Sequence, residues 1–202
     1  MADAKPARVP FTGSCHCGAI RYILFLTLPH PHSETLPQPK GEQRFYRCNC
    51  TVCHKMGHMH IRPASPADDF LLLSPLDPFQ DLGDYQCYDK VLHFFYCKTC
   101  AVRCFIFAGE GDVVDVDLAE LGIPGAGEPG KETKVWRPRR DGGHPERRNY
   151  LSVNGHSLDA GQTGFDMREL TEKKYVMYCD CLSDAAQEAP ARYDRPQDHG
   201  SY

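Results

Sequence analysis

The segment Cys48-Asn-Cys-Thr-Val-Cys53 packs three cysteines into six residues. Two further groups share its close spacing: Cys15-His-Cys17 upstream and Cys97-Lys-Thr-Cys100 downstream. Thiols this near one another along a chain can reach one ion from a single turn. Zinc takes tetrahedral sets of thiolate sulfur and imidazole nitrogen. The chain carries 11 cysteines in 202 residues. An odd number suits complete disulfide pairing poorly, and a reducing cytosol would keep the thiols free. Metal binding explains the three groups better than a disulfide framework does.

Counting ligands gives a partition. Two cysteine pairs supply four thiolates, the full shell of a structural zinc. The triplet supplies three protein ligands and leaves a vacancy, the pattern of a catalytic zinc. The spacing therefore favours Cys15, Cys17, Cys97 and Cys100 for a closed site, and Cys48, Cys50 and Cys53 for an open one. Spacing alone leaves other partitions open. His16, His54, His58 and His60 are candidate fourth ligands, although a histidine beside a cysteine ligand more often sits behind it or in solvent. Cys87 and Cys104 fall in strand-like runs and read as core residues. Cys179-x-Cys181 echoes the other pairs but has no partner pair left, so it reads as non-ligand.

Outward from the cysteines, the chain is a series of short apolar runs between turns. Residues 20–26 alternate Ile20, Tyr22, Leu24 and Leu26 with Arg21, Ile23 and Phe25, a strand pattern. Further strands are expected at 44–47, 70–73, 84–88, 91–96, 103–108, 113–118, 135–136, 150–153 and 174–179. Helix is expected only near 66–70 and 166–172. Prolines make 27–43 a loop, and 122–130 is a Gly/Pro loop. Many short strands and few helical patterns imply a mainly β domain. Residues 1–10 read as a flexible arm, 11–181 as a single domain and 182–202 as a disordered tail.

Composition narrows the function. The formal net charge is −4 with 41% hydrophobic residues, so a packed core is feasible and a non-specific nucleic-acid surface is not indicated. No apolar run approaches the ~20 residues of a membrane span. The first ten residues lack a signal-peptide pattern, so a cytoplasmic setting is expected.

Three stretches carry a resemblance: Gly13-Ser-Cys-His-Cys-Gly-Ala-Ile-Arg-Tyr22, Cys48-Asn-Cys-Thr-Val-Cys-His-Lys-Met-Gly57 and Tyr96-Cys-Lys-Thr-Cys100. In order and spacing they resemble the glutathione-dependent formaldehyde-activating enzyme family, which includes the centromere protein V type of domain. The match covers roughly residues 11–108. Tyr150-Leu-Ser-Val-Asn154 and Phe165-Asp-Met-Arg-Glu-Leu170 resemble the C-terminal part of fungal-type members. The resemblance implies a β-tent fold and two zinc ions per chain. Cys15, Cys17, Cys97 and Cys100 would hold the structural ion, and Cys48, Cys50 and Cys53 the catalytic one. It also implies a carbon–sulfur lyase joining glutathione, as cosubstrate, to formaldehyde. The chain departs from the pattern at Ala101, where the family usually has glycine, at the extra thiol Cys104 and in the long proline-rich loop 28–43.

Three thiolates leave a zinc site with formal charge −1. That fits a bound thiol, or acid–base work on a polarised oxygen, better than strong water activation. Lys55, His54, His58 and Tyr46 are candidate proton-transfer groups by sequence proximity only. The loops 28–43 and 122–147 are the expected pocket walls. A carbonyl metabolite other than formaldehyde is a variant of the same reading. The rival readings are a non-enzymatic zinc module that binds a protein or associates with chromosomes, and a purely structural metal protein with both sites closed, which a histidine ligand on the second zinc would favour.

Overall fold

The computed structural model describes residues 5–31, 41–123, 125–126, 128–141, 143, 149–182 and 191–202. In chain order it begins with β1 (Ala7–Ser14), β2 (Arg21–Leu28), β3 (Arg44–Cys48), helix α1 (Thr51–Met56) and β4 (His60–Arg62). Then come α2 (Pro66–Asp69), β5 (Phe70–Ser74), α3 (Pro78–Asp81), β6 (Gly83–Tyr85), β7 (His93–Tyr96) and β8 (Arg103–Ala108). The chain continues through β9 (Gly111–Asp117), β10 (Glu132–Pro138), β11 (Tyr150–Asn154), α4 (Met167–Glu172) and β12 (Val176–Cys179). The protein is mainly β, as expected.

The strands form two sheets. One runs β1-β2-β5-β10-β9, and the other runs β12-β3-β4-β11-β8-β7-β6. All pairings are antiparallel except β12 with β3, which is parallel. The core lies between the sheets. Tyr22, Leu24, Leu26, Phe70 and Leu72 from the first meet Phe45, Ile61, Phe95, Phe105 and Phe107 from the second. β2 is buried on both faces, because Ile23 and Phe25 point the other way into a smaller cluster with Leu71, Leu118 and Val135. That is why both halves of its alternation are apolar. Fully burying each large side chain here contributes about 1.5–3 kcal/mol.

Local chemistry accounts for where the elements differ from expectation. The strand expected at 84–88 stops at Tyr85, because Tyr88 and Lys90 take positive φ of 54° and 55° in the following turn. The strand expected from 174 starts at Val176, since Lys174 has φ of 55°. The expected helices appear as α2 and α4, and Asp166 caps α4 by accepting from Arg168 N at 2.9 Å. β1, β4, α1 and α3 were not anticipated; the last three are too short for a periodic signal.

Both ends of the described chain join the fold. β1 starts at Ala7, inside the segment read as an arm, and pairs residue for residue with β2. Arg8 reaches Asp69 at 2.8 Å and lies 3.7 Å over the Phe25 ring. At the other end Tyr178 N donates to Arg192 O at 2.7 Å, and Gln197 Nε2 donates to Tyr178 O at 3.2 Å. Residues 191–202 thus pack against β12, while residues 183–190 lie outside the described chain.

Candidate metal centres

The first centre links the two sheets. Cys15 and Cys17 lie in the turn between β1 and β2, and Cys97 and Cys100 lie in the turn between β7 and β8. Gly18, at φ of 77°, lets the first turn fold back so that Ile20 N donates to Cys15 Sγ at 3.2 Å. The second turn is closed by Ala101 N donating to Cys97 O at 2.9 Å and Cys97 N donating to Val102 O at 3.0 Å. The sulfurs of Cys15, Cys17, Cys97 and Cys100 lie within 4.8 Å of one another. The Cys15–Cys17 and Cys17–Cys97 sulfur separations are 3.6 and 3.5 Å. A tetrahedron with 2.3 Å zinc–sulfur bonds has edges of about 3.8 Å, so the donor set fits zinc. The Val102 backbone N–H is the main influence drawing the Cys100 thiol down to about 6, toward the thiolate a metal needs. The four predicted residues of this site are therefore brought together.

The second centre sits at one end of the seven-stranded sheet. Cys48 ends β3, Cys50 precedes α1 and Cys53 lies within it. Gly57, at φ of 60°, stops the helix, and His58 N donates to Cys53 O at 3.0 Å. The chain then drops into β4, which carries His60 beneath the thiols. Cys48 and Cys50 sulfurs are 3.2 Å apart, and Cys53 Sγ is 3.1 Å from His60 Nε2. The donor atoms of Cys48, Cys53 and His60 lie within 4.8 Å of one another and can hold an ion. Cys48 and Cys53 of the predicted triplet are brought together with His60, and Cys50 lies beside Cys48 but outside that set.

Cys181 also comes near: its backbone N–H donates to Asn49 Oδ1 at 2.6 Å, and its thiol interacts with that of Cys48. With Cys50 and Cys181 beside the Cys48, Cys53 and His60 set, four thiols and one imidazole gather at this end of the sheet. Crowding of thiols redistributes protons among them. Cys50 is held well below the usual thiol range, first by the Cys48 thiol beside it and then by Cys53. Cys48 is pushed up, first by Cys181 and then by Cys50.

The remaining candidates separate clearly. His60 is fully buried, and its Nδ1 lies 2.7 Å from Ser152 Oγ. Tyr46 stacks on the His60 ring at 4.2 Å, and its hydroxyl is 2.7 Å from that of Tyr150. Desolvation holds the Tyr46 phenol well above its ordinary range, so it keeps its proton. His58 is buried, and neither ring nitrogen has a hydrogen-bond partner among the described residues. Burial lowers it to about 3, so it is neutral near pH 7. His16 and His54 are exposed. Cys104 is a core residue, as expected. Cys87 is not: it lines a cavity.

That cavity, of about 500 Å³, lies against the outer side of α1. Its walls are Thr51, Val52, Lys55 and Met56 from the helix, Tyr85, Cys87 and Tyr88 opposite, and Arg103. Arg103 Nε is buried with no hydrogen-bond partner among the described residues. The expected wall loops do not line this cavity. Residues 32–40 of the first, and 124, 127, 142 and 144–148 of the second, lie outside the described chain. Sequence reasoning missed Cys181, Cys87 and Arg103. Only the repeated C-x-C spacing of Cys179 and Cys181 gave any signal for them.

No family model matches the chain. Among solved structures, the chain is similar to a Rhodobacter sphaeroides protein at 16% identity and a TM-score of 0.40, covering 79% of this chain and 94% of that one. Likeness at that level says nothing about chemistry.

Proposed function

We propose that the protein is a zinc-dependent small-molecule enzyme, lyase-like at a carbon–sulfur bond, that acts on a thiol–carbonyl adduct. Glutathione and formaldehyde are the first substrates to test, by resemblance of the three cysteine stretches to the formaldehyde-activating family. Another carbonyl-bearing metabolite is the variant of the same reading. The observation that supports it is the adjacency of the second cysteine cluster to the cavity. Thr51 and Val52, between Cys50 and Cys53, form part of the cavity wall. Cys87, opposite, has its thiol raised first by burial and then by the Cys50 charge.

When bound, zinc would lower the proton affinity of a thiol or polarise a carbonyl oxygen. The rest falls to side chains. Cys48, Cys50 and Cys53 would hold the ion. Lys55 and Arg103 would attract carboxylates of a substrate such as glutathione. Tyr85, Tyr88 and Met56 would bury its apolar part. Of the proton-transfer candidates, Lys55 lies on the cavity wall and is the first to test. A reducing cytoplasm, where these thiols stay free, belongs to the proposal. Among the described residues no helix is long and apolar enough to cross a membrane.

The test follows adduct exchange in mixtures of glutathione and formaldehyde by NMR, with the zinc-loaded protein added. Acceleration that Cys50→Ser abolishes supports the enzyme reading. No acceleration across a panel of thiols and aldehydes rejects it. The second reading, a non-enzymatic zinc module, would then stand. It is favoured by one observation: His60 stands within reach of an ion held by Cys48 and Cys53, so a protein side chain could take a position that a substrate would need.

A further inference from the structure

We propose that Cys181 is the fourth protein ligand of the second centre, so that the chain itself fills the position its cysteine triplet leaves vacant.

The placement is built by the triplet's own loop. β12 runs parallel to β3 with Cys179 opposite Cys48. Just past that pair, Asn49 N donates to Cys179 O at 3.3 Å. The Asn49 side chain then grips the next turn. Its Oδ1 accepts from Cys181 N at 2.6 Å, and its Nδ2 donates to Asp180 Oδ1 at 2.8 Å and to Asp198 O at 3.0 Å. Asp180 Oδ1 also accepts from Leu182 N at 3.0 Å, an Asx turn that bends the chain back at Cys181. Asn49 is 4% exposed, so these bonds are sheltered from water. Asn49 is also the middle residue of Cys48-Asn-Cys50. One side chain thus fixes the Cys181 backbone beside Cys48 and Cys50, and the two thiols of Cys181 and Cys48 interact.

His60, the competing donor, has a different place. Tyr46 stacking and Ser152 fix its ring within the sheet. Its Nε2 lies 3.1 Å from Cys53 Sγ, within reach of donating an N–H to that sulfur. It supports Cys53 while Cys181 completes the set. Cys181 is exposed and sits on a turn, whereas Cys53 is buried in a helix. It is the donor that can leave without disturbing a sheet. On the enzyme reading above, on which this one clause rests, departure of the 180–182 turn is what admits a substrate thiol.

The test uses the full chain loaded with cobalt(II), whose sulfur-to-metal absorbance counts thiolates. Two four-thiolate sites predict a loss of about one eighth of that absorbance in Cys181→Ser. The second ion should also be at least about tenfold easier to remove with a chelator. Cys179→Ser should change neither. Unchanged absorbance and retention in Cys181→Ser overturn the proposal and assign the position to His60 or solvent. Should that variant not fold, alkylation of the wild-type chain decides. Protection of Cys181 by zinc supports the assignment, and equal rates with and without zinc overturn it. Added glutathione should restore Cys181 alkylation if a thiol displaces it. None of these readouts needs turnover, so an inactive protein with a zinc-protected Cys181 would refute the enzyme reading alone.

Discussion

The backbone N–H of Cys181 donates to Asn49 Oδ1 over 2.6 Å, and the two residues are separated by 132 positions in sequence. A buried donor that loses its acceptor costs about 1–3 kcal/mol. Asn49→Ala should therefore lower stability by that amount in urea unfolding of the zinc-loaded protein. Because the same side chain holds the turn after β12, the second zinc should also dissociate faster. A variant as stable as wild type, with unchanged zinc release, would show that the turn is held by something else.

The two centres should respond differently to loss of a ligand. Cys15 and Cys17 belong to one sheet's turn, and Cys97 and Cys100 to the other's. The second centre gathers its donors at one end of a single sheet. Structural zinc contributes about 10–16 kcal/mol in small zinc domains. Cys97→Ser should unfold the chain, whereas Cys50→Ser should keep the fold and lose one of two ions. Native mass spectrometry and circular dichroism read both results. Equal unfolding of the two variants would contradict this division.

Ala101 has φ of 60°, the left-handed region, in the turn that follows Cys100. A Cβ there costs about 1–2 kcal/mol relative to glycine, partly offset by the greater freedom of an unfolded glycine. Ala101→Gly should stabilise the protein by about 0.5–1 kcal/mol, seen as a higher midpoint in thermal unfolding. A lower midpoint would mean that the methyl group is packed rather than strained.

His58 makes acid sensitivity measurable. Burial lowers it to about 3 in the native protein, against about 6.5 in an unfolded chain. Between those values the unfolded chain binds a proton that the native state refuses. The stability tied to a neutral His58 is therefore complete above about pH 6.5 and falls as pH drops through the window. The slope approaches about 1.4 kcal/mol per pH unit. Zinc release adds to the acid response of any variant, so a difference is needed. Between pH 7 and 5.5, His58→Phe should lose about 1 kcal/mol less than wild type. Parallel profiles would sink this account.

Arg103 offers a test of selectivity on the enzyme reading. Its buried Nε lacks a partner among the described residues, and its side chain lines the same cavity as Lys55. Arg103→Met should raise KM for a carboxylated thiol such as glutathione about tenfold. The KM for a small uncharged thiol should be nearly unchanged. Equal changes for both would place Arg103 in a packing role.

Much of the fold is legible in short stretches. Residues 103–108 and 150–153 are expected strands and appear as β8 and β11 with little change. They carry apolar, β-branched and aromatic side chains that suit a pleated, buried surface. α1 was not legible. Its six residues complete less than two turns, and it buries Cys53 alone rather than an apolar face. β4 was missed because three residues cannot display a period.

The cysteine spacings by themselves determined that this chain offers two metal-binding sets, and the structure keeps Cys15, Cys17, Cys97 and Cys100 as one of them. Ligands a few residues apart are constrained by one turn, so sequence reveals them. His60 and Cys181 were decided only by tertiary structure. β4 slides His60 beneath α1 through pairing with β3 and β11. Parallel pairing of β12 with β3 carries Cys181 across the chain to Asn49 and Cys48. A contact between residues so distant in sequence depends on strand order and register, which no local spacing encodes.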